Sequence, residues 1–302
     1  MRHRHRRAVA AALAVLAFSA PLGAETARFA GRLTWTSDEP GFGGFSGLEV
    51  SEDGSTFTAI SDRAMIVSGR FIREGGRLTS IETGPLEMLP GPDGGRMARK
   101  VGDAEGLAQR ADGRLFVSFE GVARVWAYVT PDKAARLPRP DAFKTFERNA
   151  GPEALAIDGQ GRLYTLPERS GQMDRPFPVW RLDARHWDQP FDIPRRGPFL
   201  PVGADFGPDG RLYLLERNFT GYSFRSRVRR FTLDADRIVA EEQLLETASF
   251  RHGNLEGLSV WRDESGAIRL TMVADDNFSA LQRSEIVEYS LPESLASAPP
   301  RP

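Results

Sequence analysis

The sequence predicts an all-β chain folded as a single β-propeller, most economically of five blades with six as the alternative. Three observations carry this reading. First, a unit of apolar strand, Asp-Gly-like turn and apolar strand recurs along the chain: FSGLEVSEDGSTFTAISD at 45–62, DAEGLAQRADGRLFVSFE at 103–120, GPEALAIDGQGRLYTLPE at 151–168, VGADFGPDGRLYLLE at 202–216 and NLEGLSVWRDESGAIRLTMVADD at 254–276. Second, the turn glycines Gly54, Gly113, Gly161, Gly210 and Gly266 are spaced by 59, 48, 49 and 56 residues, the scale of a propeller blade. Third, the flanking segments alternate apolar and polar residues with the period of two that strands require. Stacked helix pairs share such repeat lengths but lack that alternation.

The chain opens with a basic segment, MRHRHRR, followed by the apolar residues 8–20 and the small-residue site Leu22-Gly23-Ala24. This is the pattern of a secretory signal peptide over residues 1–24. The run falls short of the roughly 20 apolar residues that span a bilayer, and no second apolar stretch follows. The expectation is therefore an exported protein, periplasmic or secreted, with no membrane span. Residues 25–37 alternate as a strand, and Pro40-Gly41-Phe42-Gly43-Gly44 leads into the first repeat.

Each repeat continues with a third and fourth strand: MIVSGRF and LTSIETGPLEML in the first, RVWAYVT and then FKTFER in the second, VWRLDA and FDIP in the third, SRVRRFTL and RIVAEEQLLE in the fourth. The end of that last segment is expected to turn helical. The fifth repeat stops after EIVEYSL. A closed ring leaves no open sheet edge, so the strand at 28–36 should supply the missing outer strand by pairing with 285–291. The propeller domain would then occupy 25–292, and residues 293–302 a flexible tail.

Composition narrows the chemistry. The formal charge is −1 with no cysteine, and cleavage after Ala24 would remove Arg2, Arg4, Arg6 and Arg7, leaving a mildly acidic chain. A nucleic-acid partner demands a basic face, which composition does not provide. Thiolate metal sites and a Cys nucleophile are excluded, and only His186 and His252 remain after cleavage. A metal site must then be built from oxygen, which favours Ca²⁺ over Zn²⁺.

In a propeller the innermost strand starts and the second strand ends at one face of the disc, so residues at those positions gather around one mouth of the channel. The strand starts carry Ser46, Glu105, Glu153 and Glu256, with Asp205 about three residues out of register. The strand ends carry Asp62, Glu120, Glu168, Glu216 and Asp275. A single acid after a strand is often a turn residue; acids at every second-strand end are harder to explain that way. Crowded carboxylates repel unless cations neutralise them, so these nine carboxylates are the candidate metal ligands. Arginines adjoin several of them. Arg63, Arg169 and Arg217 are expected either to pair with the acids or to hold the anionic part of a substrate. His252, just before Asn254-Leu255-Glu256, is the candidate proton donor, while His186 should lie on the opposite face. GFSGL at 44–48 is not a G-x-S-x-G nucleophile elbow.

The motifs DAEGLA, GPEALA, NLEGLS, ISDR, LPERS and LLERNF together resemble the phytase-like propeller family with esterase-like activity, over about residues 28–292. The resemblance implies an exported propeller with an acidic, Ca²⁺-binding mouth and hydrolysis of phosphate or carboxylate esters; the expected chain is a monomer and its expected partner a small anionic ester. A noncatalytic ligand- or partner-binding propeller and a lactonase-like metal hydrolase are the alternatives. The chain holds few lysines, Lys100, Lys133 and Lys144, which weighs against phytate as the substrate.

Overall fold

A computed structural model of the protein describes residues 27–146 and 151–292; the expected signal peptide and tail lie outside them. The first strand, β1 (Arg28–Thr34), is followed by five sheets. Blade 1 comprises β2 (Phe45–Val50), β3 (Thr56–Ser61), β4 (Met65–Glu74) and β5 (Arg77–Thr83), with the short β6 (Glu87–Met88) added to β4. Blade 2 is β7 (Ala104–Gln109), β8 (Leu115–Phe119), β9 (Arg124–Tyr128) and β10 (Ala134–Arg136). Blade 3 runs β11 (Pro152–Ile157), β12 (Leu163–Pro167), β13 (Phe177–Asp183) and β14 (His186–Ile193). Blade 4 is β15 (Leu200–Phe206), β16 (Leu212–Phe219), β17 (Phe224–Asp234) and β18 (Arg237–Glu246). Blade 5 contains β19 (Asn254–Arg262), β20 (Ile268–Asp275) and β21 (Glu285–Ser290), and β1 completes it.

The closure is as the sequence predicts. β1 pairs antiparallel with β21 from Arg28↔Ser290 to Thr34↔Glu285. The joint it creates resembles the others: five apolar clusters lie one between each pair of neighbouring blades, and the last sets Trp35, Phe45, Phe57 and Phe71 against Val273 and Ile286. Arg73 of β4 reaches across this joint and donates two hydrogen bonds, of 2.8 and 2.6 Å, to the buried Glu288 carboxylate of β21. Burial between twisted sheets thus holds the ring without disulfides.

Two local expectations are corrected. The end of RIVAEEQLLE is strand throughout, because β18 stays hydrogen-bonded to β17 up to Arg227↔Glu246. In blade 2 the outer strand comes from Ala134–Arg136, ahead of FKTFER, where Asp141–Thr145 forms a 3₁₀ turn that buries Phe143. A six-bladed ring would need another four-stranded sheet, and none occurs among the described residues.

The repeated turns lie at the end of the disc away from the mouth. In each, the glycine N–H closes a four-residue turn, as Gly113 N does on Arg110 O at 2.8 Å. The glycine backbone is left-handed there, with φ +86° at Gly113, a conformation costly for other residues. At the centre, inner strands approach backbone to backbone. A Cβ on Gly106 would stand 2.5 Å from the Glu153 carbonyl oxygen of the next blade, so this position has room for glycine alone.

Candidate active site at the channel mouth

Each inner strand breaks its ladder near its start. The irregularities fall at Phe45/Gly47, Ala104/Leu107, Pro152/Ala154, Pro201/Gly203 and Leu255/Gly257. The residues released from pairing include Ser46, Glu105, Glu153, Val202 and Glu256. Bulges re-aim side chains and recur beside functional sites; here they lift three glutamates out of the ladder at equivalent places.

The ends of the second strands complete the mouth. Asp62 N donates to Gly44 O, Glu120 N to Asp103 O and Glu168 N to Gly151 O, while Leu200 pairs with Arg217 and Asn254 with Asp275. These pairings make Asp62, Glu120, Glu168, Arg217 and Asp275 equivalent. Blade 4 therefore places an arginine where the other four place an acid. The Arg217 guanidinium bonds Glu168 Oε1 at 2.9 Å and Asn254 Oδ1 at 2.8 Å, and it also binds Glu256 Oε1.

Glu216 is consequently a correction. It pairs with Pro201, one residue away from the equivalent position, and a shift of one residue along a strand turns the side chain to the other face. Its carboxylate is fully buried between Arg227 Nε at 2.8 Å and Arg229 Nη2 at 2.6 Å. Asp205 is corrected too. It lies toward the far end of the channel, where Val260 N donates to it at 2.6 Å; burial lifts its pKa to about 7. Its neighbouring acid there is Glu49, whose pKa is raised by burial and then by Asp205.

His252 does not join the ring. It is buried at the periphery where blades 4 and 5 meet, stacked on Phe29, with Nε2 at 2.7 Å from the Tyr289 hydroxyl. Burial, and then Arg251, bring its pKa down to about 4, so it is neutral at neutral pH. His186 opens β14 on the far side, as expected. Arg169 stands at the rim, 55% exposed, with Nε 3.2 Å from Glu168 Oε2. Arg63 stacks on Phe278, its Cζ 3.1 Å from the ring centre. It lines a cleft of about 590 Å³ together with Met88, Arg96, Met97 and Arg99.

One acid was missed in the sequence. Asp103, Glu105 and Glu120 each offer an oxygen within 4.8 Å of the others. The available signal was spacing, since Asp103 precedes Glu105 by two residues and so shares its side of the chain.

The electrostatics are those of crowded acids. Glu105 is pushed well above the usual carboxylate range by burial, then by Glu153, Glu256, Asp103 and Glu120. Glu153 is raised by burial and by Glu168 and Glu120. Asp62 rises to about 6, chiefly through burial and then Asp103; Asp275 reaches about 8 through burial and then Glu256. Burial alone would lower the Arg217 pKa, but Glu256, Glu168 and Glu153 hold it above its ordinary value. Asp62 Oδ1 is buried with no hydrogen-bond partner. A surplus of buried negative charge, an unpartnered carboxylate oxygen and a three-acid cluster suit a hard cation with oxygen ligands.

A family described as phytase-like, with esterase-like activity of phytase, matches residues 40–278. The chain belongs to this phytase-like family. Its fold is also similar to that of a gluconolactonase from Xanthomonas campestris, with 14% identity, a TM-score of 0.50, and coverage of 89% of this chain and 96% of the other. An endo-arabinase from Bacteroides thetaiotaomicron gives 14% identity and a TM-score of 0.51, covering 89% of this chain and 98% of that one. At such identities the likeness speaks for the propeller alone. No curated protein matches the sequence.

The raised acids give a pH dependence. A carboxyl whose pKa is higher folded than unfolded costs stability once pH exceeds the unfolded value, and the cost grows until pH passes the folded value. His252 acts in the opposite direction, but only below its unfolded pKa of roughly 6.5. Between pH 6.5 and 8.5 the Asp275 group, near 8, acts in the same direction as Asp205, near 7, and the strongly raised Glu49, Glu105 and Glu153. Asp275 alone is expected to cost the metal-free protein about 2 kcal/mol over this window, or roughly 5 °C in Tm. Calorimetry in a chelating buffer checks this, and Asp275→Asn should lessen the fall by that amount.

Proposed function

We propose that the protein is an exported, monomeric hydrolase of small phosphate or carboxylate esters, lactones included, acting with Ca²⁺ at this mouth. The observation that carries the reading is the convergence of Asp103, Glu105 and Glu120 inside a ring of further carboxylates, in a chain of the phytase-like family. Those three side chains would hold the cation. The chemistry a cation supplies when bound is polarisation of the ester oxygen and acidification of water. No protein nucleophile is then required.

The chain's own groups have distinct parts. Arg217 fixes Glu168 and Glu256 and tempers the repulsion in the ring. Asp62, poised at about 6 with a free oxygen, takes the proton-transfer role expected of His252, because its pKa lies close to working pH. Arg63 and Arg99 line the cleft with Gly102, the residue before Asp103, and would hold the anionic part of the substrate, with Arg169 a rim contact. Glu153, Glu256 and Asp275 keep the site acidic.

Hydrolysis of p-nitrophenyl phosphate and p-nitrophenyl acetate by the chain from Glu25 onward, with Ca²⁺ and with EGTA, tests the reading. Turnover that needs Ca²⁺ is expected. Turnover insensitive to EGTA would remove the metal from the reaction. A chain that binds Ca²⁺ but cleaves neither ester would be a binding propeller.

A further inference from the structure

Ten large apolar side chains are exposed among the described residues, and seven of them lie on the mouth side of the disc, in turns or at strand ends. Tyr222 and Phe250, each 73% exposed, stack with ring centres 5.7 Å apart beside blade 4, and Phe219 is exposed on the same hairpin. Leu281, 96% exposed, tops the β20–β21 turn, Met173 the β12–β13 turn and Val122 the β8–β9 turn. Met88 belongs to β6, which pairs with the mouth end of β4. Every blade thus contributes at least one apolar tip to the same face.

Cations accompany these tips. Arg251 follows Phe250 directly, Arg283 stands two residues after Leu281, and Arg175 two after Met173; all three are exposed. Arg96 and Lys100 are exposed on the same side.

We propose that the mouth face docks on an anionic lipid surface, with the apolar tips entering the headgroup boundary and the flanking arginines at the level of the lipid phosphates. A small substrate in the channel cannot touch tips set on five different blades. A tight protein interface is organised around one continuous apolar core, whereas these tips are separate and each is exposed alone or in a pair. Isolated apolar and aromatic tips with adjacent Arg or Lys are the arrangement that a charged bilayer surface rewards. No helix among the described residues is long and apolar enough to cross a membrane, so the contact is peripheral. The inference stands apart from the hydrolase reading, since it uses none of the residues assigned to the ester.

Co-sedimentation tests it, using the chain from Glu25 onward, because residues 8–20 would themselves bind lipid and the ring is closed by residues 27–292. EGTA is present throughout, so that calcium bridging is not counted. Binding to phosphatidylcholine vesicles containing phosphatidylglycerol is expected, weakening with salt, and roughly tenfold or more weaker on phosphatidylcholine alone. A combined Tyr222→Ser, Phe250→Ser and Leu281→Ser variant with unchanged Tm should bind at least about tenfold less. Combined Arg175→Gln, Arg251→Gln and Arg283→Gln should erase the preference for anionic vesicles. Absence of sedimentation with anionic vesicles, or equal binding by the Tyr222/Phe250/Leu281 variant, would overturn the proposal. So would self-association in light scattering that this variant abolishes while vesicles are ignored, which would make a second copy the occupant.

Discussion

Replacing Glu105 by Gln is expected to lower Ca²⁺ affinity and Ca²⁺-dependent turnover together, each by about 100-fold or more, with little change in the fold. The side chain keeps its shape but loses the charge that a hard cation needs. Groups merely adjacent to ligands commonly change affinity or activity by about 10–100-fold, so loss of a ligand should reach or exceed that range. Because Glu105 sits among repelling acids and its pKa is raised well above normal, the metal-free variant should melt no lower than the parent. Asp103→Asn should behave alike, whereas Asp205→Asn, at the far end of the channel, should leave metal affinity unchanged. Calorimetric titration and ester hydrolysis on the same samples distinguish the three. Equal losses in Asp205→Asn would mean that the cluster is not the seat of binding.

The largest loss of stability is expected from Glu216→Gln. Its carboxylate is fully buried and holds Arg227 and Arg229, so neutralising it leaves two guanidiniums without their shared counter-charge. Breaking a buried pair from one side typically costs about 3–5 kcal/mol. Glu241, 2.7 Å from Arg229 Nη1, offsets part of this, so the lower end of that range applies, or roughly 10 °C in Tm. Ca²⁺ affinity should be untouched, because the carboxylate faces away from the mouth. A denaturation midpoint close to the parent's, or a loss of metal binding without a loss of stability, would return Glu216 to the ring.

These two residues mark what the sequence could and could not reveal. Blade number and closure were legible because alternation, the turn glycines and the unpaired edge of the last repeat all point to one ring. The strand-end acids were legible in four blades because each closes the apolar run that follows the turn glycine. In blade 4 the segment Leu-Leu-Glu-Arg offered an acid one position early, and the period of two in a strand converts that single step into opposite faces. Asp205 was drawn to the wrong end by the same repeat: an acid near an inner strand looks alike at either end until the ladder is known. The inner-strand bulges leave no clear trace in composition, although the recurring Glu-Gly and Ser-Gly pairs mark their sites. His252 was placed by its nearness to Asn254 in sequence, but its loop packs the ring against Phe29 and Tyr289 from distant strands.

The most direct test is isothermal titration of Ca²⁺ into the metal-free chain from Glu25 onward, in two buffers of different ionisation enthalpy. Raised carboxyl pKa values mean that protons are held near neutral pH and must leave when a cation arrives. The account predicts saturable binding accompanied by proton release, a Tm rise equivalent to about 2.7 kcal/mol at a free concentration about 100 times Kd, and loss of both in Glu105→Gln. Heats identical to buffer dilution, with no shift in Tm, would contradict it.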